Sequence, residues 1–236
     1  MKNQYFGDKR DYFKYGLLEA LATGVEGIQQ LTCIWMLTPP RANNDGRKAF
    51  VPHPEYHRLT SFFQACQAKA IADVAEMKVY FRGQTYHFCS YGDSAARYFT
   101  SRSRSDYFRG IPAAALHDSL VFFDPDNGLE PARGATTAHL RYEELADVFN
   151  RMTGASIAVI YQHLPRIKAS RFWPSVASTL GNRLGANVAY IAQGDLAFFV
   201  IPREPSRLRL SVAVLNRQAQ AVAPGKPSRH VGRTNP

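Results

Sequence analysis

Residues 120–131 read LVFFDPDNGLEP: four apolar residues, Leu120 to Phe123, run straight into an acidic turn broken by proline. An uninterrupted apolar run of this length, rich in β-branched and aromatic residues, fits a strand covered on both faces, as in a parallel α/β sheet. Pro125 fixes its own φ and pushes Asp124 into an extended conformation, while Asn127-Gly128 readily enters the left-handed region. The expected product is a rigid turn that holds Asp124 at a strand tip with Asp126 and Glu130 close by.

Two more runs of the same kind lie on either side. LTCIWML, Leu31 to Leu37, ends at Pro39-Pro40, and ASIAVIYQ spans Ala155 to Gln162. Helical periodicity alternates with them. Asp11 to Ala22 carries Phe13, Leu17, Leu18 and Leu21 on one side, Glu55 to Ala75 carries Leu59, Phe62, Phe63, Cys66, Ala70 and Val74, and a further helix is expected around Tyr142 to Arg151. NVAYIAQ and LAFFVIP flank Gly194-Asp195, a two-residue turn suited to an antiparallel hairpin. KVYFRGQTYHFCS reads as another hairpin around Gly83, and RLRLSVAVL as an edge strand. The pattern predicts an α/β fold, Rossmann-like and doubly wound, with a mostly parallel sheet and a C-terminal antiparallel hairpin. One domain is expected over residues 1–216. Residues 217–236, basic and without apolar periodicity, read as a disordered tail.

In such a sheet, ligands sit outside the carboxyl ends of the parallel strands. The three apolar runs end in TPPRANNDGR, DPDNGLE and QHLPR, so Asp45, Arg47, Asp124, Asp126, Asn127, Gln162, His163 and Arg166 are expected on one rim. His163 is the candidate proton carrier, because imidazole titrates near neutrality. The acids support two readings: one carboxylate orienting a substrate amine or hydroxyl, or Asp45, Asp124, Asp126 and Glu130 holding Mg²⁺. An Asx-turn that caps a helix is the plain structural reading of Asp126 and Asn127.

Charge narrows the partners. The 236 residues hold 29 Lys and Arg against 19 Asp and Glu, a net +10, and discounting Lys226, Arg229 and Arg233 in APGKPSRHVGRTNP, residues 223–236, still leaves +7. Such an excess suits DNA or RNA, whose phosphates release counterions to Lys and Arg. Between Gly92 and Gly110, Arg97, Arg102, Arg104 and Arg109 interleave with Tyr98, Phe99, Tyr107 and Phe108, a composition able to hold phosphates and stack on bases. A helix with a solvated basic face has the same composition. No apolar run approaches the roughly 18 residues of a membrane span, and the N-terminal segment is charged and aromatic. Three cysteines, none in a CxxC pair, read as reduced thiols. These features predict a soluble cytoplasmic protein with no membrane partner and no zinc site.

The order YFGDKRDYFKYGLLEAL, strand, NNDGR, FFDPDNGLE and IYQHLPR resembles an uncharacterised bacterial family with NQYFGD, DYxKYGLL, FFDPDNGLE and YQHxPR signatures, over most of residues 1–170. More distantly, the layout is similar to Rossmann-like S-adenosylmethionine methyltransferases, particularly ribosomal RNA adenine-N6 methyltransferases and three-Cys-motif partner proteins. That resemblance implies a catalytic Asp124-Pro125, with Lys14 as the lysine of the N-terminal segment. It also implies cofactor binding by Thr38, Asp45, Gly46 and Arg47 after the first strand. Asp126 and Asn127 stand where those enzymes carry proline and an aromatic ring that would stack on a flipped base. Three functions follow as expectations: S-adenosylmethionine-dependent methyl transfer to nucleic acid, with Asp124 orienting the acceptor and Lys14 and Arg166 on phosphate or cofactor carboxylate; a Mg²⁺-dependent nuclease or phosphoesterase assisted by His163; and a non-catalytic nucleic-acid-binding partner in a defence or modification system.

Overall fold

The computed structural model describes residues 1–40, 49–52, 54–94, 98–221 and 229–234. Among them nine strands form, β1 (Gln30–Trp35), β2 (His87–Tyr91), β3 (Ser119–Asp124), β4 (Gly128–Leu129), β5 (His139–Leu140), β6 (Ile157–His163), β7 (Ala189–Gln193), β8 (Leu196–Pro202) and β9 (Arg229–Arg233). The helices are α1 (Lys9–Gly24), α2 (His57–Ala68), α3 (Met77–Tyr80), α4 (Arg104–Arg109), α5 (Tyr142–Arg151), α6 (Ala169–Leu184) and α7 (Leu208–Gln220). Seven strands make one sheet in the order β2-β1-β3-β6-β8-β7-β9, and β4 and β5 pair separately. The β2, β1, β3 and β6 ladders are parallel, whereas β8 pairs antiparallel with β6 and β7, and β9 pairs antiparallel with β7. Five strands therefore share one direction and two oppose it. The expected mostly parallel sheet and its C-terminal hairpin are present, with the hairpin turned so that β8 sits between β6 and β7.

Alternation along the central strands sends side chains into two cores. Cys33, Trp35, Leu120, Phe122 and Val159 pack with Leu17, Leu59, Met77 and Val214 on one face. Ile34, Val121, Phe123, Ala158 and Ile160 pack with Phe108, Val148 and Leu180 on the other. Helices thus cover both faces, which is why the strands are apolar on both. No helix among the described residues is long and apolar enough to cross a membrane.

Four expectations give way. The helix expected over Glu55 to Ala75 ends at Ala68, and Ala70, at φ +53°, turns the chain away. Between Met77 and Tyr91 there is one helical turn and one strand instead of a hairpin: Met77, Tyr80 and Phe81 are buried in the helix layer, and Gly83, at φ +79°, starts the turn toward β2. RLRLSVAVL is helical. Its Leu208, Leu210, Val212 and Val214 alternate like a strand, yet the buried positions are Ser211, Val214, Leu215 and Gln218, the spacing of one helix face. The chain past Arg217 continues in α7 to Gln220, and residues 229–233 become the edge strand β9 in place of a disordered tail.

Candidate functional site

Strand β1 has β2 on one side and β3 on the other, so the chain changes direction across the sheet at this pair. A crevice outside the carboxyl ends of such strands is where an α/β sheet binds ligands. Trp35, the last residue of β1, is in register with Asp124, the last of β3. Helix α1 lies against this point, buried nearly all round. Tyr15, Leu17, Leu18 and Leu21 have no exposure, and a Cβ on Gly16 would stand 2.9 Å from the Tyr56 ring. Asp8 caps the helix by accepting from the Arg10 and Asp11 amides.

That packing drives Lys14 onto the strand tip. Its Nζ donates to Asp124 Oδ2 at 2.9 Å and to Asp11 Oδ1 at 2.7 Å, and all three residues are 2% exposed or less. The rings of Tyr15, Phe122 and Tyr161 lie 5.3, 5.8 and 5.4 Å from the same ammonium. Burial alone would lower the Lys14 pKa, but the Asp11 and Asp124 carboxylates more than offset it and hold the group well above its ordinary value. Burial pushes Asp11 up to about 7; Lys14 opposes this, while Asp8 and Asp124 add to it. The second oxygen of Asp11 accepts from the Gly7 amide at 3.1 Å. Asp124 differs in one respect: its Oδ1 is buried and meets no hydrogen-bond partner among the described residues. A cavity of about 210 Å³ opens there, walled by Asp11, Lys14, the Asp124–Asn127 turn, Tyr161 and His163.

The rest of the turn is committed to structure. Asp126 pairs with the Lys2 ammonium at 2.9 Å and accepts from Thr38 Oγ1 at 3.2 Å. Burial raises its pKa, but the N-terminal ammonium and Lys2 prevail and hold it below the ordinary range. Thr38 is itself taken up by Lys2 and by the Met1 backbone, so its hydroxyl is engaged by the chain itself. The Asn127 amide bonds Ala138 O at 2.9 Å, and Gly128, at φ +98°, lies so close to Gln162 that a Cβ would meet its Oε1 at 2.5 Å. Gln162 Oε1 in turn accepts from the Leu129 amide at 2.7 Å.

Several expected roles are corrected. Glu130 Oε1 accepts from the Tyr142 amide at 2.8 Å, so this acid caps α5 instead of joining Asp124 as a metal ligand. Among the described residues no three His, Cys, Asp or Glu side chains cluster as a cation site. Lys14 is spent on two aspartates, not on a phosphate or a cofactor carboxylate. His163 shares a hydrogen bond with the Tyr161 hydroxyl at 3.0 Å, and burial, with Arg10 nearby, lowers its pKa to about 4, away from the neutral range expected of a proton carrier. Arg104 is 6% exposed and bound to Glu144, so its charge is matched within the chain, although it lines a cavity with Arg102 and Arg109. Arg109 is exposed and paired with Asp106 at 2.7 Å, while Arg102 and Arg166 are exposed. Asp45, Gly46, Arg47 and Arg97 lie outside the described residues.

The structure thus brings together Lys14, Asp124, Asp126, Asn127 and His163, and adds Lys2, Asp8, Arg10, Asp11 and Tyr161. The signal for Asp11 was its spacing, one turn ahead of Lys14 on the same helix face. Arg10, which lines the cavity, pairs with Asp195 at 2.5 Å. No family model matches the chain, and no curated protein matches it. Among solved structures, protein LPL1258 of Legionella pneumophila strain Philadelphia 1, of the DUF519 family, is similar to the chain at 11% identity and a TM-score of 0.41, with 96% of each chain covered.

Proposed function

We propose that the chain is a nucleic-acid-acting enzyme that transfers a methyl group from S-adenosylmethionine to an acceptor nitrogen oriented by Asp124. The observation that carries this reading is the bare Oδ1 of Asp124, a buried acceptor on a residue that lines a cavity at the turning point of the sheet. A buried carboxylate oxygen without a donor is costly, and a ligand N–H removes that cost on binding. Lys14 fixes the carboxylate by its other oxygen, so Oδ1 is presented in one orientation. The Lys2–Asp126–Thr38 lock fixes the turn behind it.

S-adenosylmethionine, when bound, supplies an electrophilic methyl group. Asp45, Gly46 and Arg47, which lie outside the described residues, would hold it, since Thr38 is already engaged. Asp124 Oδ1 would accept the acceptor N–H and take up its proton as the nitrogen becomes cationic. The exposed Arg102 and Arg166 and the net +10 support a phosphate-bearing acceptor. Calorimetry with S-adenosylmethionine, together with labelled-methyl incorporation into RNA and single-stranded DNA, tests the reading. Binding and incorporation in the parent, with incorporation lost in Asp124→Asn while cofactor heat persists, is the expected result. Heat from Mg²⁺ alone, or from neither ligand, would overturn it.

A further inference from the structure

We infer that Asp11 is a positioning residue of this site: by sharing the Lys14 ammonium with Asp124, it leaves the two carboxylates able to take up one proton between them. The inference rests on the methyl-transfer reading for its consequence in turnover, but its physical content stands on geometry. Two buried carboxylates face one ammonium, at 2.7 and 2.9 Å. A carboxylate paired one to one with a buried ammonium is a weak base, because protonating it strands the cation. Here the trio holds one negative charge in excess, and one more proton brings it to neutrality with Lys14 still paired.

The surroundings favour that uptake. Asp8 at the start of α1 and Asp124 on β3 are the anions near Asp11. Lys14 is the cation they share, and the Met1 amino group, brought down to about 6 by burial, lies near Asp124. Tyr15 and Tyr161, held well above their ordinary pKa by burial, stay neutral. The acceptor nitrogen's bond to the methyl carbon would form as that carbon's bond to the sulfonium sulfur breaks, with the pair leaving on a neutral thioether; the nitrogen's N–H bond then breaks with its electron pair left on nitrogen, and a lone pair of Asp124 Oδ1 forms the O–H bond. Coupled groups of this kind titrate as a unit, so the proton belongs to the Asp11–Asp124 pair. With Asp11 neutralised, Asp124 would be locked one to one with Lys14 and would lose the ability to take it.

Carboxyl ¹³C NMR of aspartate-labelled protein tests this without turnover. In the parent, the Asp11 signal should move through the neutral range, and the Asp124 signal, coupled to it through the shared Lys14 ammonium, should move with it. In Asp11→Asn, the movement of the Asp124 signal through the neutral range should disappear. Independent titrations in the parent, or an Asp124 titration indifferent to Asp11→Asn, would overturn the inference. In turnover, Asp11→Asn should lower kcat about tenfold or more and flatten the acid limb of its pH profile, with the nucleic-acid KM unchanged and Asp11→Glu recovering part of the rate. A rise in KM together with a fall in kcat, unrelieved by Glu, would show a merely structural residue. Absence of methyl transfer by the parent would remove the proposed function and leave the NMR result to decide on Asp11.

Discussion

Two buried cation–carboxylate contacts, both involving residues singled out for function, are built on opposite principles. Arg104 meets Glu144 through two parallel contacts, Nε to Oε1 and Nη2 to Oε2, each 2.5 Å. Its other donors reach Thr137 O and His139 O, and its guanidinium lies 4.9 Å from the Phe99 ring. Glu144 also accepts from the Arg141 amide at 2.9 Å. One cation meets one anion, and their polar atoms are used within the chain. Lys14 is divided between two carboxylates, and Asp124 keeps an oxygen without a partner among the described residues. The first arrangement is complete and ties α4 to α5. The second is incomplete among the described residues: Asp124 Oδ1 lacks a donor.

Arg104→Ala tests the first half of this contrast and should have the largest effect. Stranding Glu144 should cost about 3–5 kcal/mol in urea unfolding. A loss below about 1 kcal/mol, typical of an exposed pair, would break the comparison. Asp124→Asn tests the second half. Because Lys14 retains Asp11 and a crowded negative charge is removed, stability should change by about 1 kcal/mol or less in either direction, while the response to acceptor ligands disappears. A destabilisation as large as that of Arg104→Ala would place both clusters in the same structural class.

His163 sharpens the picture through pH. Its folded-state pKa of about 4 lies below its ordinary 6.5, so the native state binds fewer protons than the unfolded chain between those values. Stability from keeping the ring neutral is then full above about pH 6.5 and is lost as pH falls toward 4. His163→Gln should flatten that part of the stability–pH curve, measured by thermal melting against the parent. The smallest effect on stability is expected at Arg102 and Arg166. Substituting either with Ser should leave stability within about 0.5 kcal/mol, while the slope of log Kd against log salt for a single-stranded oligonucleotide drops by about one for each phosphate the side chain neutralised.

The sheet was legible because β1, β3 and β6 are covered on both faces and therefore read as apolar runs. Asp124 was legible for a related reason: the proline after it marks where such a run must stop. Lys14 was harder. A helix buried all round gives no solvent face from which to infer where one lysine points, and nothing local says that a strand tip 110 positions later will meet it. Arg104 and Arg102 are two residues apart and alike in composition, yet it is Arg104 that finds a carboxylate, supplied by a helix 40 positions on. Strand β9 was illegible because RHVGR owes its place to backbone pairing with β7, aided by Arg229 stacked 4.2 Å over Phe13, and not to any apolar pattern of its own.

That last strand sets a schedule for synthesis. Gln193 of β7 and its partner Arg229 are 36 positions apart. At about 5–20 residues per second, the free edge of β7 waits roughly 2–7 seconds for its neighbour to be made. During that interval the nascent sheet carries a bare row of amide and carbonyl groups, the feature that invites pairing with another chain. Once in place, β9 becomes the new border, a five-residue strand with an arginine at each end, and short charged strands are poor templates for further growth. In those seconds the β7 edge is open to pairing with another chain, and synthesis of these residues closes it.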